Sequence, residues 1–129
     1  MTLLGRAIVR AQLKIGATPE TPNSLVFEGV FREQNVEEWF RPLIDELHAR
    51  AVTLKLDEVV LDLRQLEYAN AAAWKCLVYW MRLLQDDGNA RYNVRIVANE
   101  AHRWQRVGMP SLQVFGRDRL IIESHGKAS

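Results

Sequence analysis

The stretch LDLRQLEYANAAAWKCLVYW, Leu61 to Trp80, passes from an apolar strand through a short loop into three alanines and an aromatic-rich helix. Strand-to-helix junctions often hold reactive hydroxyls or phosphate-binding glycines. Here the junction reads Asn70-Ala71-Ala72-Ala73, with neither a hydroxyl nor glycine's wider backbone range. Two readings stand. Alanine has the highest helix propensity and Asn is a strong capping residue, so the run makes a good helix start and nothing more. Alternatively, a chemistry that such junctions hold has been removed from this one.

Downstream, the pattern predicts a helix from Asn70 to about Asp86, stopped by Gly88. At about 100° per residue, Ala73, Trp74, Cys76, Leu77, Val78, Trp80, Met81, Leu83 and Leu84 cover more than half its circumference. Lys75, Arg82 and Asp86 share the remainder with Tyr79. A helix on one sheet face needs a narrower apolar stripe, so the excess is covered by neighbouring helices or by another protein. Tyr79, Trp80 and Leu83 sit toward the edge of the arc. They are candidates for partner contact, because aromatic anchors dominate interface energetics. The competing reading is that the first helix, with Trp39 and Phe40, buries them.

Upstream, Ile8 to Ile15 alternates, with Val9, Ala11, Leu13 and Ile15 on one side, which predicts a half-buried strand. Gly16 to Ser24 reads as a loop and Ser24 to Phe31 as a second strand. Asn35 with Glu38 forms a capping-box pattern ahead of Val36, Trp39, Phe40, Leu43, Ile44 and Leu47 at helical spacing. Pro42 either kinks that helix or marks its start at Arg41-Pro42. Val59 to Leu63 reads as a central strand covered on both faces. Tyr92 to Ala98 is the next strand, Asn99 caps a short helix ending at Gly108, and Arg119 to Glu123 is the last strand. The order is β-β-α-β-α-β-α-β, an α/β fold with a mixed β-sheet and helices packed against it. One domain is expected over residues 1–129, with its core at about 8–123 and a tail at 124–129.

The spacing within VLDLRQLEYANAAAW (Val60 to Trp74) resembles the central motif of STAS domains, the anti-sigma-factor-antagonist family. Those domains carry an apolar strand, a pinned loop, then Asp-Ser-Ser-Gly at a helix start. Val60, Leu61 and Leu63 match the strand; Leu66 and Tyr68 match the loop; Asn70, Ala71, Ala72 and Ala73 fall on Asp, Ser, Ser and Gly without a gap. HRWQRVGMPSLQVF (His102 to Phe115) resembles the third helix and following turn of a branch of these proteins. The resemblance implies a STAS-like fold. It also implies a protein partner, a serine-kinase-type anti-sigma factor that phosphorylates the first serine of the motif in its usual targets. A phosphate adds roughly −1.5 to −2 charge to a docking surface and abolishes binding by repulsion and desolvation. Ala71 stands at the usual serine position, so no phosphoacceptor remains there. The expectation is a bacterial partner-switching protein, not an enzyme, whose docking residues are Tyr68, Asn70, Ala71, Ala72, Ala73, Trp74, Tyr79, Trp80 and Leu83. The alternative is a scaffold that self-associates, as a homodimer or within a larger signalling assembly.

Other chemistries find little footing. His48, His102 and His125 are far apart and lack ligand spacing, so no metal is expected, and no cofactor motif occurs. Cys76 falls on an apolar helical arc and reads as packing; a single cysteine rules out an internal disulfide and suits a reducing, cytoplasmic setting. Net charge is +1, which argues against nucleic acid and anionic membrane as partners. The N-terminal apolar segment is broken by Arg6, Arg10 and Lys14, unlike a secretory signal. Asp62 and Glu67 have no fixed separation; the resemblance gives Asp62 a structural hydrogen-bonding role. Thr18, Thr21 and Ser24 lie in a hydroxyl-rich stretch that turn chemistry explains and that would also suit a displaced phosphosite. His102 to Arg106 reads as a solvated face with Trp104 turned inward.

Overall fold

The computed structural model describes residues 3–18 and 21–125. Ala11 and Gln12 form a turn, so the segment read as one strand is a hairpin. Its arms are β1 (Ile8–Arg10) and β2 (Leu13–Thr18), antiparallel, with Ile8 opposite Ile15 and Arg10 opposite Leu13. Leu13 and Ile15 are buried as expected, but Val9, across the turn, is exposed. The expected loop from Gly16 to Ser24 is mostly strand: β2 pairs antiparallel with β3 (Thr21–Phe31) as far as Thr18 opposite Thr21. Residues 19 and 20 and the side chains of Thr18 and Thr21 lie outside the described residues. Ser24 is half-buried within β3, opposite Val60. Gly29 of β3 has φ +102°, and a Cβ there would lie 2.0 Å from the Gln12 carbonyl oxygen, which accepts from the Val30 N–H at 2.8 Å. Only glycine lets the hairpin turn approach that closely.

The remaining elements are α1 (Val36–Thr53), β4 (Glu58–Ala69), α2 (Ala71–Asp86), β5 (Asn93–Asn99), α3 (Arg103–Gly116) and β6 (Leu120–His125). Helix α1 runs through Pro42 and starts before it, while the Asn35 side chain makes no capping bond; its carbonyl accepts from Glu38 N–H instead. The expected capping box is therefore absent. The third helix does not stop at Gly108. A Cβ at Gly108 would stand 3.1 Å from the Trp74 ring, so this glycine makes room for an indole and the helix continues through Pro110 to Gly116. The last strand reaches His125, and residues 126–129 lie outside the described residues.

Among the described residues six strands stand in the order β1-β2-β3-β4-β5-β6, parallel from β3 onward. Crossovers of one hand along an order that never reverses put all three helices on one face. Accordingly α1 packs on α2 and α2 on α3. Strand β4 is central, but it is covered on one face only. Val59, Leu61, Leu63 and Leu66 are buried beneath the helices, whereas Asp62 and Arg64 face outward. The outer face is held by ion pairs, among them Arg64–Asp62 at 2.8 Å and Arg95–Glu58 at 3.1 Å. Such exposed pairs contribute at most about 1 kcal/mol each.

Strand β4 carries one extra residue relative to β3 between Asp62 and Gln65 and another between Leu66 and Tyr68. These bulges free carbonyls that β5 cannot reach, since the β4–β5 ladder ends at Asp62 opposite Val97. Helix α3 answers them. Buried Gln105 donates from Nε2 to the Leu63 and Leu66 carbonyls at 2.6 and 3.0 Å, and its Oε1 accepts from Asn99 N–H at 2.8 Å. Trp104 Nε1 donates to the Leu66 carbonyl at 2.9 Å.

At the far end of the helical layer, a hydrogen-bond chain ties α1, α2 and β5. Trp80 Nε1 donates to the Tyr92 hydroxyl at 2.9 Å. That hydroxyl meets His48 Nδ1 at 2.5 Å, and His48 Nε2 meets an Asp87 carboxylate oxygen at 2.9 Å. Indole only donates and carboxylate only accepts, so a neutral His48 carries its proton on Nε2, toward Asp87, and accepts from the Tyr92 hydroxyl at Nδ1. Burial pushes the Tyr92 phenol up to about 12, so the hydroxyl keeps the proton it donates. Hydrogen bonds from Asn89 N–H and from His48 hold the Asp87 carboxyl below its usual range.

Tyr92→Phe is expected to strand two buried polar groups and to cost on the order of 2–4 kcal/mol in denaturant unfolding. Because the folded pKa of Asp87 is depressed, its contribution is complete above the ordinary value of about 4 and is lost as pH falls below it. Asp87→Asn should flatten the acid limb of a stability–pH curve relative to the parent protein.

Candidate partner-docking site

Asn70 makes the junction. Its Oδ1 accepts from Ala73 N–H at 2.9 Å, which caps α2. Its Nδ2 donates to the Glu33 carbonyl at 2.9 Å, and its backbone N–H donates to the Phe31 carbonyl at 2.9 Å. One side chain thus fixes the start of α2 to the segment that leads from β3 into α1. The amide is specific in this role: a carboxylate would keep the cap but set negative charge against the Glu33 carbonyl. Asn70 therefore contributes a bond that an Asp in its place could not.

Around this pin the expected contact residues divide. Tyr68, at the end of β4, is 42% exposed, with the Arg32 guanidinium 5.7 Å from its ring. Ala71 is exposed at the first helical position, and Ala72 and Trp74 are half-buried. Tyr79 is half-buried, its hydroxyl donating to Asp45 and its ring 4.1 Å from the Arg41 guanidinium. Leu83 is half-buried and packs on the core. Two expectations are corrected. Trp80 has no exposed surface, and Ala73 is buried beneath the helix start. Helix α2 lies between α1 and α3, so the arc judged too wide for one sheet face is absorbed on three sides.

The exposed remainder of α2 borders a groove of about 400 Å³ walled by α1 and by Phe115 of α3. Phe115 is 40% exposed, and Lys75, Val78, Tyr79 and Arg82 present the α2 side. Arg32, Arg41 and Phe115 were not singled out from the sequence. Phe115 was lost with the early stop assigned to α3, and the two arginines gain their places only by lying across from Tyr68 and Tyr79. Burial pushes the Cys76 thiol up to about 11, which suits packing rather than nucleophilic chemistry. Among the described residues, no cluster of three or more His, Cys, Asp or Glu side chains is arranged to hold a metal ion. Asp62 accepts from the backbone N–H and the guanidinium of Arg64 at the first β4 bulge, the structural role expected of it, and does not pair with Glu67. No helix among the described residues is long and apolar enough to cross a membrane.

The sequence matches no protein-family model and no curated protein sequence. Among solved structures, the fold is similar to SiaC of Pseudomonas aeruginosa, with a TM-score of 0.66 at 19% identity, over 93% of this chain and 98% of that one. It is similar also to a chain in the crystal structure of the diguanylate cyclase SiaD in complex with its activator SiaC from Pseudomonas aeruginosa. That match has a TM-score of 0.64 at 20% identity, over 93% of this chain and 99% of the other. The fold is STAS-like, as the junction motif implied.

Asn70→Asp should keep the helical content of α2 but lower stability by about 1–2 kcal/mol through loss of the Glu33 bond. Asn70→Ala, which loses the cap as well, should cost more; thermal unfolding of both variants checks the order.

Proposed function

We propose that this chain is a non-enzymatic regulator of the partner-switching kind. It docks on a signalling protein through the Tyr68–Trp74 junction and the outward strip of α2, and no phosphoryl switch operates on that loop. The observation that carries the reading is the accessible start of α2. Ala71 stands exposed at the first helical position, held in place by Asn70, with no hydroxyl to receive phosphate. A surface that phosphate would close in the family is here permanently open.

The fold neighbours bear on the class of partner. SiaC is described as the activator of a diguanylate cyclase and forms a complex with it. By that likeness the partner proposed here is a signalling enzyme of comparable kind, acting in the cytoplasm. The kinase-type anti-sigma factor implied by the motif finds no support in either neighbour. A protein that activates or sequesters an enzyme needs a rigid, accessible face and no catalytic groups of its own. The junction has the first, with Asn70 joining three segments of backbone.

Restoring negative charge at the junction tests the reading. An acidic side chain in the first turn favours the helix dipole by about 0.3–1 kcal/mol, so Ala71→Asp should leave the melting temperature unchanged or raised. Recovery of partner by affinity-tagged protein from its own cells should fall at least about tenfold, through like-charge repulsion and desolvation. Equal recovery of the same partner by the parent protein and the stable variant would sink the proposal.

A further inference from the structure

The groove beside α2 carries a cluster of positive charge. Lys75 and Arg82, seven residues apart, stand about 10 Å from each other along the helix. Arg41 faces them from α1, its guanidinium on the Tyr79 ring. None of the three is ion-paired among the described residues, and Glu37 is the one carboxylate lining the groove. Asp45, the nearby acid on α1, is already engaged by the Tyr79 hydroxyl. The open sheet face behaves differently: its Arg64 and Arg95 are each matched by carboxylates. Between the groove's cations lies apolar surface from Trp74, Val78 and Phe115.

From this pattern we infer that the groove seats an acidic, apolar-anchored polypeptide segment of the partner. Its apolar side chains lie on Trp74, Val78 and Phe115, and its carboxylates reach Lys75, Arg82 and Arg41. This rests on the docking reading above and specifies the partner's chemistry. Charge complementarity decides the occupant. A second copy of this chain docking groove to groove would be isologous, setting one net-positive groove (Lys75, Arg82 and Arg41 against the single Glu37) on another of the same sign. Like charges so placed cost several kcal/mol, which disfavours self-association through this face. A basic or neutral segment would leave three cations desolvated without partners. The acidic occupant also explains why negative charge at residue 71, on the same helix one turn from Lys75, is expected to weaken docking.

The test places a photo-cross-linking benzoylphenylalanine at Val78, inside the groove, and separately at Ala72, at the junction, in full-length protein within its own cells. Cross-linked peptides are then sequenced by mass spectrometry. The expected result is a conjugate at both positions with one partner, the Val78 peptide carrying net negative charge. Combining the Val78 probe with Lys75→Glu and Arg82→Glu should lower its yield on the order of tenfold or more, with an unchanged circular dichroism spectrum and melting temperature. A conjugate at Ala72 but none at Val78, or a Val78 peptide that is neutral, basic or from a second copy of this chain, overturns the inference and leaves the docking reading standing. Unchanged yield from the folded charge-reversed protein overturns it as well. Absence of conjugates at both positions removes the docking reading and this inference together.

Discussion

The whole arrangement depends on a topological constraint: six strands in unbroken sequential order with every crossover on the same side. A sheet so built has one face to cover and one to leave bare. The three helices form a single row in which α2 is the middle member. Its flanks are spent on α1 and α3 and its underside on the core beneath. Only a narrow outward strip and the N-terminal end remain for another molecule. The candidate docking site lies there because the fold leaves α2 no other accessible surface.

The same constraint explains the polar side chains that hold the molecule together. A row of helices over a sheet must be fixed at both ends. At the junction end, Asn70 joins β3, the approach to α1 and α2. At the other end, Trp80, Tyr92, His48 and Asp87 join α2, β5 and α1. Between them Gln105 and Trp104 accommodate the bulges of β4, without which the end of that strand would leave carbonyls buried and unpaired. Polar groups placed in this way contribute positional accuracy. A docking surface built on a helix terminus needs that accuracy more than it needs additional stability.

The bare sheet face and the groove show two treatments of charge on one small protein. On the sheet, arginines and carboxylates neutralise each other across neighbouring strands. In the groove, cations stand beside exposed aromatic and aliphatic surface without such partners. The contrast lies between side chains on different elements, so no single segment of sequence displays it.

Much was legible in the chain itself. The Asn70 cap, the run of α2 to Asp86, the alternation of strands and helices and the missing hydroxyl at Ala71 follow from local spacing and residue chemistry, and each stands in the structure. Other features depended on neighbours distant in sequence. Trp80 looked like an anchor for a partner because periodicity counts the width of an apolar arc and not the number of elements packed around it. Gly108 looked like a stop because glycine ends many helices, yet its missing Cβ accommodates Trp74 from another helix. The strand from Ile8 became a hairpin because the Gly29 backbone lets the Gln12 turn come close. Local rules determined which segments form and what their ends are made of. Tertiary packing decided which faces survive as surface, because burial is set by what lies opposite a residue, and the sequence around that residue does not record it.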